Sequence, residues 1–379
     1  MNFTRRRPFV AIILQAFILL FTFAAQGQTP PPDKPLTSPE LVHLVYQLPK
    51  HPEQRDEIVT EIRKRGIGFP LTDGMRSLVE AKSGSDAVLR RTLEEAERRR
   101  ANPKTETRLT EKEASDVLRQ TTTMTLAAAN AMPDFIVKQL IKRSVAFGRT
   151  ANWLPQDTLS IGVSFRQSAG EQYRLLAVNG VPPGPEVATG GDYNKYVKGT
   201  TSSGVEYVTG LASIFGEDAH ASFKAVDTDL LRGRATIVYE YEVKLPYSTL
   251  TLKSGDVPAA QVGSRGRLWV DRETYRVLRL EQIASEIPPD FPIKAASSLI
   301  DFDWVTINEQ KYLLPLHSDV LLTSLYGNEL VQSRNDIRFR GYQKFGAELK
   351  IIDDDEEAPP EKLEKPHLKQ PEPRKPGQP

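Results

Sequence analysis

Two pairs of carboxylates stand at a spacing that could share a proton or hold a cation. Asp301 and Asp303 are separated by one residue in SLIDFDWV, and Glu240 and Glu242 in YEYEV. On an extended strand, residues two apart lie on one face, so each pair could serve acid–base or calcium chemistry. An ordinary solvated strand face uses the same pattern, and that reading explains both pairs without a ligand. Five histidines, His43, His51, His220, His317 and His367, are scattered with no pair at metal-ligand spacing. The chain has no cysteine, which excludes disulfides, thiolate nucleophiles and cysteine-type zinc sites. Gly199 to Gly204 and Gly341 to Gly346 have the glycine spacing of a phosphate loop, but neither is followed by Lys and Ser/Thr. No GxSxG elbow, HExxH helix or GxGxxG turn is present. The residues thus predict a non-catalytic protein with no cofactor and no metal.

Fifty basic against 49 acidic residues give a formal charge of +1. No global field draws nucleic acid, and none is expected as a partner. The N-terminus adds a location. Arg5, Arg6 and Arg7 precede the apolar run from Phe9 to Ala25, and Ala25 and Gly27 are small residues at the positions a signal peptidase inspects. Residues 1–27 therefore read as a signal peptide, with an uncleaved membrane anchor as the alternative. Cleavage would leave 47 basic and 49 acidic residues, or −2, in a protein of the periplasm or the exterior with no stable membrane span.

The elements behind these residues divide into two kinds. After a proline-rich spacer (28–36), residues 37–100 predict four short amphipathic helices. Ser38-Pro39 starts the first and Gly66 ends the second, while Thr72-Asp73 opens the third and Ser85-Asp86 the fourth. This small bundle, with its RGIGF segment, resembles a module at the N-terminus of uncharacterised bacterial secreted and signalling proteins. The resemblance implies an adaptor role and an envelope protein partner for 37–100. A polar linker (101–110) follows, then a helix over Glu111 to Met132.

From Pro133 the hydrophobic period falls from 3.6 to 2. Leu159, Ile161, Val163 and Phe165 share one face, as do Ile237, Tyr239, Tyr241 and Val243, and Ile300, Phe302 and Trp304. Such alternation predicts an antiparallel sheet of nine to eleven strands with one apolar and one solvated face. Gln167–Gly170, Asn179-Gly180, Asp271–Thr274, Asn308-Glu309 and Gly327-Asn328 are expected to join neighbouring strands. One helical interlude spans Gly204 to Phe215, after a long loop from Pro182 to Ser203. The last residues, 353–379, are charged, proline-rich and free of aromatics, and read as a disordered tail.

The expected class is α+β: a large curved antiparallel sheet, an unclosed barrel with plugging helices, behind a small helical bundle. Over 111–352 the leading AAANAMPDFIVKQ, the hairpin GRLWVDRETYRVLRL, SLIDFDWVTINEQKYLLPL and the final NDIRFRGYQKF resemble the LolA-like superfamily of periplasmic carriers and RseB-type sensor domains. The resemblance implies an exported carrier that shelters a lipid or lipoprotein acyl chain, or an envelope adaptor or sensor. A carrier would line its cavity with Leu159, Ile161, Phe165, Tyr239, Tyr241, Trp269, Phe302 and Trp304. The same residues would equally serve as ordinary sheet core.

Overall fold

A computed structural model describes residues 34–84, 86–101, 109–148, 152–184 and 207–346. The expected signal peptide, the spacer up to residue 33, linker residues 102–108, loop residues 185–206 and the tail lie outside the described residues.

Four helices come first: α1 (Ser38–Gln47), α2 (Arg55–Arg65), α3 (Asp73–Ser83) and α4 (Ala87–Ala101). Their ends follow from side-chain chemistry. The first N-cap is Thr37 rather than Ser38: its Oγ1 accepts from the Glu40 backbone N–H, and the Glu40 carboxylate accepts from the Thr37 N–H. This reciprocal box moves Pro39 one position inward. Thr72 caps α3 and Asp86 caps α4, its Oδ1 accepting from Leu89 N at 2.7 Å. Gly66 closes α2 at φ +68°, a conformation that favours glycine. Leu36, Leu41, Val45, Ile58, Ile62 and Leu89 form a core private to these helices.

Among the described residues the longer helix α5 (Glu111–Asn130) leads into twelve strands, with a short helix α6 (Val208–Phe215) between the third and fourth. The strands are β1 (Phe135–Phe147), β2 (Leu154–Arg166), β3 (Gly170–Val178), β4 (Ser222–Leu231), β5 (Arg234–Val243), β6 (Thr251–Ser254), β7 (Val257–Gln261), β8 (Gly263–Asp271), β9 (Val277–Ser285), β10 (Ile293–Ile307), β11 (Gln310–Tyr326) and β12 (Glu329–Lys344). Ten of them make one antiparallel sheet in the order β3-β2-β1-β12-β11-β10-β9-β8-β5-β4, and β6 and β7 pair separately. The sheet ends at β3 and β4 and does not close. This is the expected α+β class and strand number.

Four of the five expected turns join neighbouring strands: 167–170, 271–274, 308–309 and 327–328. Asn179-Gly180 does not. It folds Val181 back onto Val178 with both turn residues at positive φ, and the next strand, β4, lies at the opposite edge of the sheet. A tight turn is a local property, while the partner of the following strand is not. At Gly266, opposite Tyr241 and Gln282, the neighbouring backbone comes so close that a Cβ would stand 1.8 Å from the Glu281 carbonyl oxygen.

α5 and α6 cover one face of the sheet. Tyr239 Oη donates to the Ala114 carbonyl of α5 at 2.8 Å, and Leu211, Ile214 and Phe215 of α6 are buried in the same apolar layer. The other face was expected to be solvated. Over its central strands it is covered instead by α2 and α4, as the ion pairs below show. Strand alternation correctly sorts the two faces, but a charged face looks the same in sequence whether water or a charged helix lies on it.

Candidate functional site

The predicted lining residues mostly converge. Leu159, Ile161 and Phe165 on β2, Tyr239 and Tyr241 on β5, and Phe302 on β10 lie buried in one continuous layer beneath α5 and α6. Phe165 stacks on Phe135 with ring centroids 5.3 Å apart. The two tyrosines carry their hydroxyls inward with partners, the Ala114 carbonyl for Tyr239 and Ser264 Oγ at 3.2 Å for Tyr241. Burial pushes both phenols above their ordinary range, so they remain neutral hydrogen-bonding groups. Trp304 is half-buried at the margin of the layer.

Trp269 stands apart from these. It pairs across the ladder with Val238 and Arg279, while its neighbour Leu268 pairs with Tyr239. Its indole therefore projects to the other side, where Nε1 donates to Asp229 Oδ2 at 3.1 Å and the Arg279 guanidinium lies 5.7 Å from the ring centroid.

That opposite face is a set of ion pairs between helices and sheet. Arg63 of α2 donates to Glu281 at 2.7 Å. From α4, Arg91 reaches Asp301 at 3.5 Å, Arg98 reaches Asp229 at 3.2 Å, and Arg99 reaches Asp227 at 2.5 Å. One pair runs the other way, Glu95 of α4 to Arg279 at 3.7 Å. Arg279 also grips Asp301, Nε to Oδ1 at 2.7 Å, and Arg232 adds a contact to the same oxygen at 3.2 Å. Asp301 is only 9% exposed. The pair Asp301/Asp303 is thus divided in role: Asp301 is neutralised by three arginines, while Asp303 keeps a half-exposed side chain with Arg232 at 4.0 Å. Glu240 accepts from Arg267 at 2.6 Å and Glu242 lies 3.4 Å from Lys244. His317, without a partner in sequence, faces Arg91 with Nδ1 at 3.3 Å and Asp336 with Nε2 at 3.5 Å.

Burial alone would raise the Asp301 carboxyl, but the Arg279 and Arg91 charges outweigh it and hold the group well below the carboxylate range. Glu281 is lowered in the same manner by Arg63. Glu95 moves the other way: burial, then the Asp229 charge, push it up to about 7 against Arg63, Arg279 and Arg98. A raised value in the folded state means a contribution that is complete below 4.5 and is lost as pH rises through about 7. The lowered Asp301 and Glu281 contribute above the unfolded carboxylate range near 4 and lose that contribution in acid. Thermal unfolding temperature should therefore fall between about pH 5 and pH 7 in the native protein, level off above that, and lack this fall in Glu95→Gln. Equal slopes for the two proteins would show that Glu95 is not the titrating group.

Sequence reading missed this seam because its two halves are more than 100 residues apart. The signal was present in EEAERRR, whose Arg98 and Arg99 in the last turn of α4 reach the sheet, and in the carboxylates of β4, β9 and β10. A small open cleft also lies beside the seam, lined by Arg55, Asp86, Trp153, Leu299, Asp319 and Arg334. Its arginines are occupied, Arg55 by Asp86 and Arg334 by Asp319, both at 3.0 Å. Among the described residues no cluster of three or more histidine or carboxylate side chains could hold a metal ion.

No protein-family model and no curated protein matches the chain. Among solved structures, a DUF1329 family protein from Desulfovibrio piger is similar at 9% identity and a TM-score of 0.29, covering 61% of this chain and 95% of that one. A putative outer membrane lipoprotein-sorting protein domain from Vibrio parahaemolyticus is similar at 12% identity and 0.29, covering 60% and 93%. The Pseudomonas aeruginosa MucA/MucB complex is similar at 11% identity and 0.17, covering 60% and 99%. Scores this low leave the reading of this chain to its own geometry.

Proposed function

We propose that this chain is an exported, non-catalytic binding protein of the LolA-like kind, holding an apolar ligand such as a lipid or lipoprotein acyl chain. The observation that carries the reading is the unclosed ten-stranded sheet, whose continuous aromatic and aliphatic layer is covered by helices α5 and α6 rather than by a second sheet. The layer is filled in the described state, with Tyr239 and Phe302 fully buried. A ligand therefore takes the place of α6, the shorter cover, and lies against Leu159, Ile161, Phe165, Tyr239, Tyr241 and Phe302, with Trp304 at the margin. Trp269 belongs to the ion-paired face and is left out of this lining. Titration with a fluorescent fatty acid tests the reading. Saturable uptake, weakened by Phe302→Leu, is expected; no uptake at micromolar protein would refute it.

A second reading, an envelope adaptor or sensor acting through protein contacts, is favoured by the helical bundle. Its core is its own, and it meets the sheet through charges rather than shared apolar packing. In that reading 37–100 and 111–352 are separable units. Cleavage confined to 102–108 that leaves both parts folded would support this division, and loss of the whole fold on cleavage would end it.

A further inference from the structure

On β1 the side chains directed at the α5–α6 layer alternate as Phe135, Val137, Gln139 and Ile141, and Gln139 alone among them is polar. Gln139 is 0% exposed. Neither its Oε1 nor its Nε2 has a hydrogen-bond partner. Its cross-strand neighbours are Ile161 and Phe339, both part of the apolar layer. In the adjoining row, Ser318 on β11 is also 0% exposed with its Oγ unpartnered, between Ile300 and Ile337. Burying an amide without partners is costly, and folded proteins rarely leave both of its ends unmet. Leucine would fill the same space without that cost.

We propose that Gln139 is the polar anchor for the ligand of this layer, with Ser318 as a second contact. The proposal rests on the binding reading above. A primary amide offers two N–H donors and a carbonyl acceptor but no charge, so it suits a neutral head: an ester or amide carbonyl with an adjacent hydroxyl or N–H. Among the described inward residues of β1, the ionised side chain is Arg143, and it is already paired. Arg143, two positions further along the same side of β1, is held by Asp157 through two hydrogen bonds of 2.6 Å each. The ligand class is therefore a neutral acyl ester or acyl amide, its chain on the aromatic layer and its carbonyl at Gln139. The signal lay in the sequence, as the one polar residue at an inward position of FIVKQLI.

The test is displacement of bound N-phenyl-1-naphthylamine from the full chain by monopalmitoylglycerol, palmitate and hexadecane. The native protein should prefer monopalmitoylglycerol over the other two by on the order of tenfold, the size of one or two buried hydrogen bonds. Gln139→Met, which keeps the length and removes both polar atoms, should erase the preference while still binding the fluorophore. Gln139→Leu should do the same, and neither variant should unfold at a lower temperature. A preference retained in both variants would overturn the anchor and leave the binding reading standing. So would a preference absent from the native protein, or a clear fall in unfolding temperature, which would show that the amide is satisfied within the fold. A native protein that takes up neither fluorophore nor lipid would overturn both.

Discussion

Replacing Asp301 with alanine is expected to destabilise the protein by about 3–5 kcal/mol, the cost of leaving a buried charge without its partner. Three guanidinium groups converge on this carboxylate, and the Arg279 side chain is 4% exposed. Deleting Asp301 leaves Arg279 with Glu95 at 3.7 Å and removes the ion pair that ties Arg91 to β10, leaving Arg91 its contact with His317 on β11. Asp303→Ala, two residues along on the same strand, should change stability by no more than about 0.5 kcal/mol, since its side chain is half exposed and its one ion pair is long. Chemical denaturation of the two variants side by side is the measurement. A mild Asp301→Ala would mean that α4 does not rest on this face.

The second large effect is on the opposite side of the same strand. Phe302 is fully buried beneath α5 and α6, and Phe302→Ala should cost about 3–5 kcal/mol through lost burial and the cavity left behind. Trp304, two residues on, should cost less, because it is half-buried at the margin and part of its ring is already in water. If Trp304→Ala proves the more severe, the apolar layer extends further toward the β10–β11 turn than the packing places it.

These two predictions mark what the sequence could and could not convey. Strand alternation put Ile300 and Phe302 on one side and Asp301 and Asp303 on the other, and that division holds because a period of two is enforced by the backbone itself. The α+β class, the strand number and the capped helices were legible for the same reason, since each rests on residues within a few positions of one another. The meaning of the charged face was not legible. Asp301 reads as solvated until α4 is placed over it, and nothing local in SLIDFDWV announces Arg91 some 210 residues earlier. Trp269 shows the converse failure. The carrier resemblance puts it in the lining, but its position one residue out of phase with Leu268 turns it toward Asp229. Gln139 stands in the same alternation, yet a polar residue in an apolar strand reads locally as a break in the pattern rather than as a feature of it.

The most direct test of the binding account is native mass spectrometry of the protein purified from the cell envelope without detergent. The account predicts a population heavier than the bare chain by the mass of a neutral acyl lipid, released on collisional activation and reduced in Phe302→Leu. Bare protein alone, from material that has never met detergent, would contradict it and leave the sheet interior as structural core.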